Sequence, residues 1–241
     1  MLNIYNFSGG KDSTAMLVRA IEEGWQVDRI HFADVGEEAE FEEMYDFVDK
    51  VERFIGMPIT RVKSNKWTFD SIFYSYPVRG RKMDTIRGFP PTVGPACRYR
   101  DWLKIKPLQE AEKVLGVGNV IYIGIAADEA LRSERAQYVN QKNSYRFPLI
   151  EWDMTEDDCV KFCRDRGLLN PLYDKFRRLG CWQCPKQSLQ SLRALYNFYP
   201  GKWAKLKEYQ RNCKWPFTPL SDVFQLEERF KAENLQGKLN F

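Results

Sequence analysis

Two short segments of the chain carry residue types that could do chemistry. The first is Ser8-Gly9-Gly10-Lys11-Asp12-Ser13, which separates an apolar run that ends at Phe7 from a second one that begins at Thr14. Glycines at such a turn let the backbone approach an anion closely, and a helix that follows offers free N–H groups and a positive dipole end. Ser8 and Ser13 add hydroxyl donors, and Lys11 adds a positive charge. The segment predicts a phosphate-binding turn, although it is neither a Walker A loop nor a G-x-G-x-x-G fingerprint.

The second segment is the pair Cys181 and Cys184, with two residues between them. This spacing lets two thiolates reach one metal centre from a single turn, and zinc, an iron–sulfur cluster or a redox disulfide could all use it. The chain has six cysteines and no recognisable secretory signal, so we expect no framework of disulfides. Cys159 and Cys163 lie four apart on a predicted helix and are interpreted as core residues. Cys213 stands alone and stays ambiguous.

Alternating strands and helices must position these segments. Apolar runs and helical spacing predict strands at 2–7, 26–34, 59–63 and 119–125, and helices at 13–23, 40–55, 101–115 and 155–167. Thr155 and Asp158 form a variant of the capping box at the start of the last helix. Residues 64–95 are expected to form long loops. The alternation predicts an α/β fold, a parallel sheet with helices on both faces. We place one domain at 1–178 and a second at 179–241, with the CxxC and a helical extension.

Positive charge and aromatic residues are concentrated between Arg61 and Lys106. This window holds eleven Lys and Arg residues against three Asp and Glu, and eight aromatic residues lie within it. A basic surface with interleaved aromatics suits a nucleotide or a nucleic acid. A solvated loop beside ordinary core aromatics is the alternative interpretation.

The remaining bulk features exclude several classes of protein. No apolar run approaches the ~20 residues of a membrane span, and no signal peptide is recognisable. We therefore expect a soluble, cytoplasmic protein without a membrane partner. His31 is the single histidine and lies in a predicted strand, where a core position is expected. A Ser–His–Asp mechanism has little support.

SGGKDS at the end of the first strand resembles the PP-loop of the ATP pyrophosphatase and adenine nucleotide alpha-hydrolase-like superfamily. HFADVGEE at 31–38, IGIAADEALRSER at 123–135 and LLNPLYDKFRRLGCWQCP at 168–185 resemble its PAPS reductase-like branch, as does the segment ACRYRDWLKIKP that holds Cys97. The resemblance implies a Rossmann-like fold in which the loop grips ATP's pyrophosphate or the phosphates of a sulfonucleotide. It also implies that Cys97, Cys181 and Cys184 jointly bind a 4Fe–4S cluster, with Zn²⁺ as the alternative.

The resemblance and the basic segments of the sequence together give a set of site residues. Lys11 and Asp12 are the predicted catalytic residues, and Mg²⁺ is expected near Asp12 or Asp34. The predicted nucleotide-binding residues are Ser8, Gly9, Gly10, Lys11, Asp12, Ser13, Asp34 and Gly124. The predicted substrate contacts are Arg87, Arg98, Arg100, Lys104, Glu129, Arg135, Arg177 and Arg178. A fourth cluster ligand is either absent, which leaves an iron open, or is Cys213. The expected partners are an adenine nucleotide, a nucleic acid substrate, a sulfur donor or electron-donor protein, and a second copy in a homodimer.

Three departures separate the sequence from the sulfonucleotide reductases. The chain ends in ENLQGKLNF instead of the reductases' Glu-Cys-Gly-like tail, Ala126 stands where an anion-binding Arg is often found, and Ala96 replaces the first of twin cysteines. We therefore predict ATP-dependent adenylation, with pyrophosphate release, coupled to iron–sulfur-dependent sulfur transfer onto a nucleotide or nucleic acid. A sulfonucleotide reductase that uses an external thiol is the first alternative. A nucleotide-binding, metal-stapled nucleic-acid-binding protein without turnover is the second.

Overall fold

The computed structural model describes residues 1–79, 83–92, 94, 97–136 and 142–239, with the backbone alone at 135–136 and 236–239. The chain divides into two compact units. The first, here the sheet unit, comprises Met1–Asp34, Glu42–Asn65 and Leu103–Tyr173. The second, here the cysteine unit, comprises Val35–Phe41, Lys66–Trp102 and Asp174–Phe241. The sequence-based boundary at residue 178 had placed Val35–Phe41 and Lys66–Trp102 in the nucleotide-binding domain. In the structure both segments belong to the cysteine unit.

A parallel sheet forms the centre of the sheet unit. In the described residues its strands are β1 Asn3–Phe7, β2 Arg29–Asp34, β3 Thr60–Lys63, β4 Val120–Ile123 and β5 Ser144–Arg146, in the order β3-β2-β1-β4-β5. The chain moves from β1 outward to β3 and then crosses to β4 on the other side of β1. The carboxyl ends of β1 and β4 therefore flank the topological switch point, where ligands bind in open α/β sheets.

Helices cover the sheet and build most of the cysteine unit. They are α1 Lys11–Glu22, α2 Glu42–Ile55, α3 Phe69–Phe73, α4 Arg98–Arg100, α5 Lys106–Val114, α6 Leu131–Ala136, α7 Pro148–Glu151, α8 Glu156–Asp165, α9 Leu189–Phe198, α10 Pro200–Asn212 and α11 Val223–Leu239. Helix α1 packs on β1 and contacts α2, α7 and α8, while α5 packs on β2 and β3. Right-handed crossovers place α1 and α2 on one face and α5 on the other. The predicted α/β fold is confirmed.

The sheet is buried on both faces, which explains why its strands consist mainly of apolar residues. Ile4, Tyr5, Ile30 and Ile121 are at most 1% exposed, as expected of a parallel sheet covered by helices on each side. His31 is buried in β2 as predicted, and burial together with the charge of Arg29 lowers its pKa.

Three local predictions need correction. The expected loop at 64–95 contains α3, because Thr68 caps it and its residues Phe69, Ile72 and Phe73 have a core to enter. The short strand β5 was missed, since three residues carry no readable alternation. In place of the single helix expected at 101–115, the chain forms α4, then a π-helical turn at Asp101–Ile105, and then α5. The π-helical turn lies just ahead of Pro107, which lacks the N–H that an α-helical turn requires.

An aromatic core holds the cysteine unit together. The ring of Tyr209 on α10 lies 5.3 Å from that of Phe69 and 4.7 Å from that of Phe73. Its hydroxyl donates to the carboxylate of Asp70. These contacts explain why a segment near residue 70 joins the C-terminal helices in one unit. Within the described residues, no helix is both long and apolar enough to cross a bilayer.

Candidate nucleotide-binding loop and cysteine residues

The turn between β1 and α1 depends on the conformation of Gly9. Its φ is +73°, and a Cβ at this position would lie 2.3 Å from Sδ of Met44 on α2. A side chain is thus excluded both by backbone conformation and by space. Gly10 follows in extended conformation and caps α1. The two glycines bring the chain from the end of β1 into the first turn of α1 within three residues.

The side chain of Ser13 closes this turn. Its Oγ accepts the N–H of Ser8 at 3.1 Å, lies 2.9 Å from the Oγ of Ser8, and donates to the carbonyl of Gly10 at 3.1 Å. The two predicted serines are therefore brought together. Because the first N–H groups of a helix have no intrahelical acceptor, the closed turn presents donors toward the switch point.

Two residues of the segment 168–174, which the motif did not predict as site residues, form hydrogen bonds to the loop. Buried Asn170 donates through Nδ2 to the carbonyl of Gly9 at 3.0 Å. The hydroxyl of Tyr173 accepts the N–H of Lys11 at 3.0 Å, and burial raises the pKa of Tyr173. In the sequence, these two residues were marked only by the segment LLNPLYD, which resembles the family. That resemblance did not indicate what either side chain would contact.

Gly124, predicted to lie near the nucleotide, faces the same turn. It directly follows β4, whose Ile123 is in register with Asn6 of β1. A Cβ on Gly124 would lie 2.8 Å from both the N and the Cα of Ser13. Backbone atoms cannot move aside as a flexible side chain can, so glycine is required where β4 meets the start of α1.

Lys11 is held by two carboxylates. Its Nζ lies 2.8 Å from Oδ1 of Asp12 and 3.1 Å from Oε2 of Glu156 at the start of α8, and the residue is 9% exposed. Burial opposes the charged form, but the hydrogen bonds and charges of Asp12 and Glu156 outweigh it and raise the pKa of Lys11. For Asp12 the balance is reversed. Burial raises its pKa, assisted by the charges of Glu156 and Glu129, and Lys11 offsets this only in part.

Asp34 and Glu129 lie at or beyond the carboxyl ends of β2 and β4. Asp34 ends β2, and its Oδ1 accepts the hydroxyl of Tyr45 at 2.7 Å. Glu129 lies in a 3-10 turn, Ala127–Glu129, that follows β4, and pairs with Arg132. The side chain of Arg135, another predicted substrate contact, falls outside the described residues.

The six cysteines fall into two kinds of environment. Cys159 and Cys163 are fully buried on α8, as predicted, and burial raises the pKa of the Cys163 thiol to about 12. The Sγ of Cys163 donates to the carbonyl of Lys11 at 3.4 Å. Cys97, Cys181 and Cys184 are instead half-buried in the cysteine unit, and none of the three forms a disulfide.

The CxxC forms a tight turn in which the N–H of Cys184 donates to the carbonyl of Cys181 at 3.1 Å. The two residues between them, Trp182 and Gln183, are buried. Cys213 belongs to the same unit, buried against Gly88, where a Cβ would lie 2.5 Å from its Sγ. Charges on Cys213 and Cys97 both raise the pKa of buried Tyr99, after the larger effect of burial itself.

Two kinds of metal group use cysteine thiolates of this kind, a 4Fe–4S cluster and a zinc ion. Within the described ranges, no three His, Cys, Asp or Glu side chains lie close enough together to hold a metal ion. Thiolates on one zinc ion lie only about 3.8 Å apart. Thiolates of a cubane bind different irons and stand farther apart. The buried Nε1 of Trp182 has no partner among the described residues, and cluster sulfides accept such donors.

Only some of the aromatic residues in the predicted basic surface, residues 61–106, are accessible to solvent. Phe69, Phe73 and Tyr99 are buried core, whereas Trp67 and Trp102 stack on each other and are half-exposed. Arg87 and Arg98 lie beside Trp102. The other predicted contacts differ: Arg100 pairs with Asp101, Lys104 belongs to the sheet unit, and Arg177 and Arg178 are exposed.

A family model with the description "Phosphoadenosine phosphosulfate reductase domain" matches residues 3–187. The chain belongs to this family. The matched residues of the PAPS reductase domain begin with β1 and include the loop, Gly124, Cys97 and the CxxC. They stop ahead of α9, so Cys213 and the three C-terminal helices lie outside the part that defines the family.

Several proteins resemble this PAPS reductase family member. Two uncharacterized proteins of Methanocaldococcus jannaschii are each 26% identical, over 84% and 82% of this chain. An uncharacterized 37.8 kDa protein of Escherichia phage 186 is 23% identical over 87%. The chain spans only 41% and 46% of the two archaeal proteins and 75% of the phage protein.

Two solved structures are also similar. The phosphoadenylyl-sulfate reductase from Candida auris, in a phosphate complex, has a TM-score of 0.51 and 18% identity, with 76% of this chain and 82% of that chain covered. This likeness shows the shared fold. The tRNA thiolase NcsA from Methanococcus maripaludis, with its 4Fe–4S cluster, has a TM-score of 0.44 and 14% identity, with 95% and 80% covered.

Proposed function

We propose that the protein binds ATP through the loop at residues 8–13 and adenylates an oxygen of its substrate, releasing pyrophosphate, before sulfur is transferred to that substrate. The observation that carries the proposal is the turn closed by Ser13 at the switch point, against which Gly124 packs. A substrate oxygen attacks the α-phosphorus of ATP, and the bond from that phosphorus to the pyrophosphate oxygen breaks. The substrate keeps the AMP group, which sulfur then displaces.

In this proposal, backbone N–H groups are the main hydrogen-bond donors to the leaving pyrophosphate. The N–H of Lys11 is taken by the hydroxyl of Tyr173, so the N–H groups of Asp12 and Ser13 and the positive dipole end of α1 stabilise the negative charge that develops there. The hydroxyls of Ser8 and Ser13 lie beside them. Lys11 was predicted to supply charge directly, but its ammonium is already bound to Asp12 and Glu156. In this proposal Lys11 fixes the start of α1 to α8, and Asp34 is the better candidate than Asp12 to hold Mg²⁺ beside the phosphates.

Cys97, Cys181 and Cys184 are the residues that would hold a 4Fe–4S cluster. The donor set supports this assignment, because these cysteines form no disulfide, are half-buried and are carried by one unit. When bound, the cluster supplies an iron at which a sulfur atom can be activated. The acceptor is proposed to be a nucleotide or a nucleic acid.

Sulfonucleotide reduction is the second candidate, and the family match favours it. One observation counts against it. Ala126, where an anion-binding Arg was expected, is fully buried ahead of the 3-10 turn that follows β4. A small buried side chain offers no charge to a second phosphate or sulfate group.

ATP–pyrophosphate exchange tests the adenylation step. Anaerobically purified protein is incubated with ATP, labelled pyrophosphate and candidate RNA or DNA acceptors. We expect label to enter ATP, and Ser13→Ala to slow the exchange about 100-fold, because loss of the hydroxyl that closes the turn misplaces the groups that hold the phosphates. Ser144→Ala is the matched control, because this hydroxyl lies at the amino end of β5. Exchange by Ser13→Ala at the wild-type rate contradicts the proposed use of the loop.

The alternatives give different results in the same preparation. Sulfite release from PAPS, without exchange, assigns the protein to the reductases. Nucleic-acid binding with neither reaction assigns it to the binding proteins.

Iron and sulfide analysis tests the cluster independently of activity. We expect Cys181→Ser to lose most of the iron and the absorbance near ~400 nm that thiolate-bound clusters show. Cys159→Ala, which removes a buried thiol of the sheet unit, should keep both. Zinc without sulfide in the wild-type protein contradicts the assignment.

A further inference from the structure

The cysteine unit carries a stacked pair of tryptophans on its surface. The ring centroids of Trp67 and Trp102 are 4.5 Å apart, with 22° between the ring planes. Both side chains are half-exposed, whereas the neighbouring Phe69 and Tyr99 are buried. The core of the unit therefore uses other aromatics, and this pair lies at its edge.

Cations surround the pair. The guanidinium carbons of Arg87 and Arg98 lie 5.4 Å and 5.7 Å from the ring centroid of Trp102, and Nζ of Lys66 lies 5.2 Å from that of Trp67. Neither arginine forms an ion pair with a described residue. Burial and the charge of Arg98 lower the pKa of Arg87. Two guanidiniums that repel each other without a carboxylate between them attract an anion.

Arg87 also lines a cavity of about 380 Å³. Its walls include Phe89, Pro91, Trp215 and Phe217, with the rings of Phe89 and Phe217 packed edge to face at 4.9 Å. Trp215 is 42% exposed. The volume falls within the ~300–1,000 Å³ that small-molecule sites occupy. Aromatic and proline walls with a cation among the lining residues suit a planar, apolar group that is attached to a phosphate.

We propose that the cysteine unit binds single-stranded nucleic acid, with an unpaired base in this cavity and the adjacent phosphates on Arg87 and Arg98. Stacking on aromatic side chains is tolerant of sequence, and arginine beside them binds the backbone. A base within a duplex is stacked and paired, so it cannot enter the cavity without being extruded. The inference rests on the proposed function in naming such a strand as the substrate.

The test is fluorescence anisotropy of labelled 15-mers with the intact protein and without ATP. The probes are oligothymidylate, oligouridylate, an abasic 15-mer of the same charge and a duplex. We expect both base-carrying single strands to bind at least tenfold more tightly than the abasic strand and the duplex. A difference between the first two probes distinguishes DNA from RNA as the source of the base.

Variants assign the binding to these residues. Arg98→Gln and Arg87→Gln should each weaken binding about fivefold and reduce the salt slope by about 0.7, the value for one phosphate of a single strand. Trp215→Ala should remove most of the preference for bases over the abasic strand. Arg53→Gln, which removes an exposed charge from α2 in the sheet unit, is the matched control and should change neither.

Two results overturn the inference. Equal affinity for the abasic strand, or for heparin, means that the surface attracts any polyanion. An effect of Arg53→Gln as large as that of Arg98→Gln means that net charge alone is responsible. Because the assay contains no ATP, failure to bind a strand is distinguishable from failure of pyrophosphate exchange.

Discussion

The glycine loop of the sheet unit and the cysteines of the second unit are assembled in opposite ways. Six consecutive residues, 8–13, form the loop, and the hydrogen bonds of Ser13 close it from within. Cys97, the CxxC and Cys213 come from three separate segments, which the aromatic core around Tyr209 gathers into one unit. A sequence motif is therefore enough to predict the loop. The cysteines can be assigned to one group only after the fold shows that their segments belong to the same unit.

Charge pairing differs between the same two regions. Lys11 of the loop is neutralised by Asp12 and Glu156 in a largely buried position. Arg87 and Arg98 of the cysteine unit have no carboxylate partner among the described residues and lie beside an aromatic surface. This difference is the reason why we propose backbone groups as the phosphate donors of the loop and side-chain cations as the anion-binding groups of the cysteine unit.

The largest effect is expected where the loop meets β4. Gly124→Ala places a Cβ 2.8 Å from the backbone of Ser13, so the start of α1 must move. We expect a loss of about 1–3 kcal/mol in unfolding free energy and at least tenfold weaker ATP binding, measured by urea denaturation and calorimetric titration.

Gly201→Ala is the control in the other unit. It lies in the first turn of α10, and a Cβ there meets nothing within 4 Å. The protein should be unchanged or slightly more stable, by about 0.5–1 kcal/mol. Equal behaviour of the two variants would refute the close approach at Gly124.

A smaller effect is expected from Lys11→Met. Removing one partner of a buried ion pair costs about 3–5 kcal/mol. The side chains of Asp12 and Glu156 are 23% and 33% exposed, however, so solvent screening reduces the loss to about 1–2 kcal/mol. Arg229→Gln breaks an exposed i,i+4 pair on α11 and should have little effect.

The pH dependence of this loss is a sharper test. The pKa of Lys11 is raised above its ordinary value of 10.5 in the folded protein. The stabilisation is therefore fully present below pH 10.5 and is lost as the pH rises through the folded-state pKa. The difference in Tm between wild type and Lys11→Met should be constant over roughly pH 7 to 9 and shrink above 10.5. A difference that grows with alkaline pH contradicts the pairing.

The smallest effects are expected at two helix caps, one in each unit. Oγ1 of Thr155 accepts the N–H of Asp158 at 3.2 Å, and Oγ of Ser188 accepts the N–H of Ser191 at 3.1 Å. Thr155→Ala and Ser188→Ala should each cost about 1 kcal/mol in urea denaturation. Thr155→Ser, which keeps the hydroxyl, should restore the stability. No loss in Thr155→Ala would mean that the carboxylate of Asp158 caps α8 alone.

Local patterns predicted the sheet unit well for physical reasons. The apolar runs of β1, β2 and β4 are those of a parallel sheet buried on both faces. The capping box at Thr155 and the interpretation of Cys159 and Cys163 as core are confirmed. Helix α3 was missed because turn-forming residues around it outweighed its apolar residues, which only become a helix face once Tyr209 packs on them.

The sequence by itself determined the glycine turn, the α/β fold and the family, because strand, turn and helix are encoded by neighbouring residues. Only the tertiary structure decided which groups complete the site. Asn170, Tyr173 and Glu156 reach the loop from more than a hundred residues along the chain. No spacing in the sequence reports such contacts, since they arise where α1 and α8 pack and where β4 returns beside β1. The same holds for Arg87, whose neighbours Trp102 and Trp215 are set by the fold of the cysteine unit.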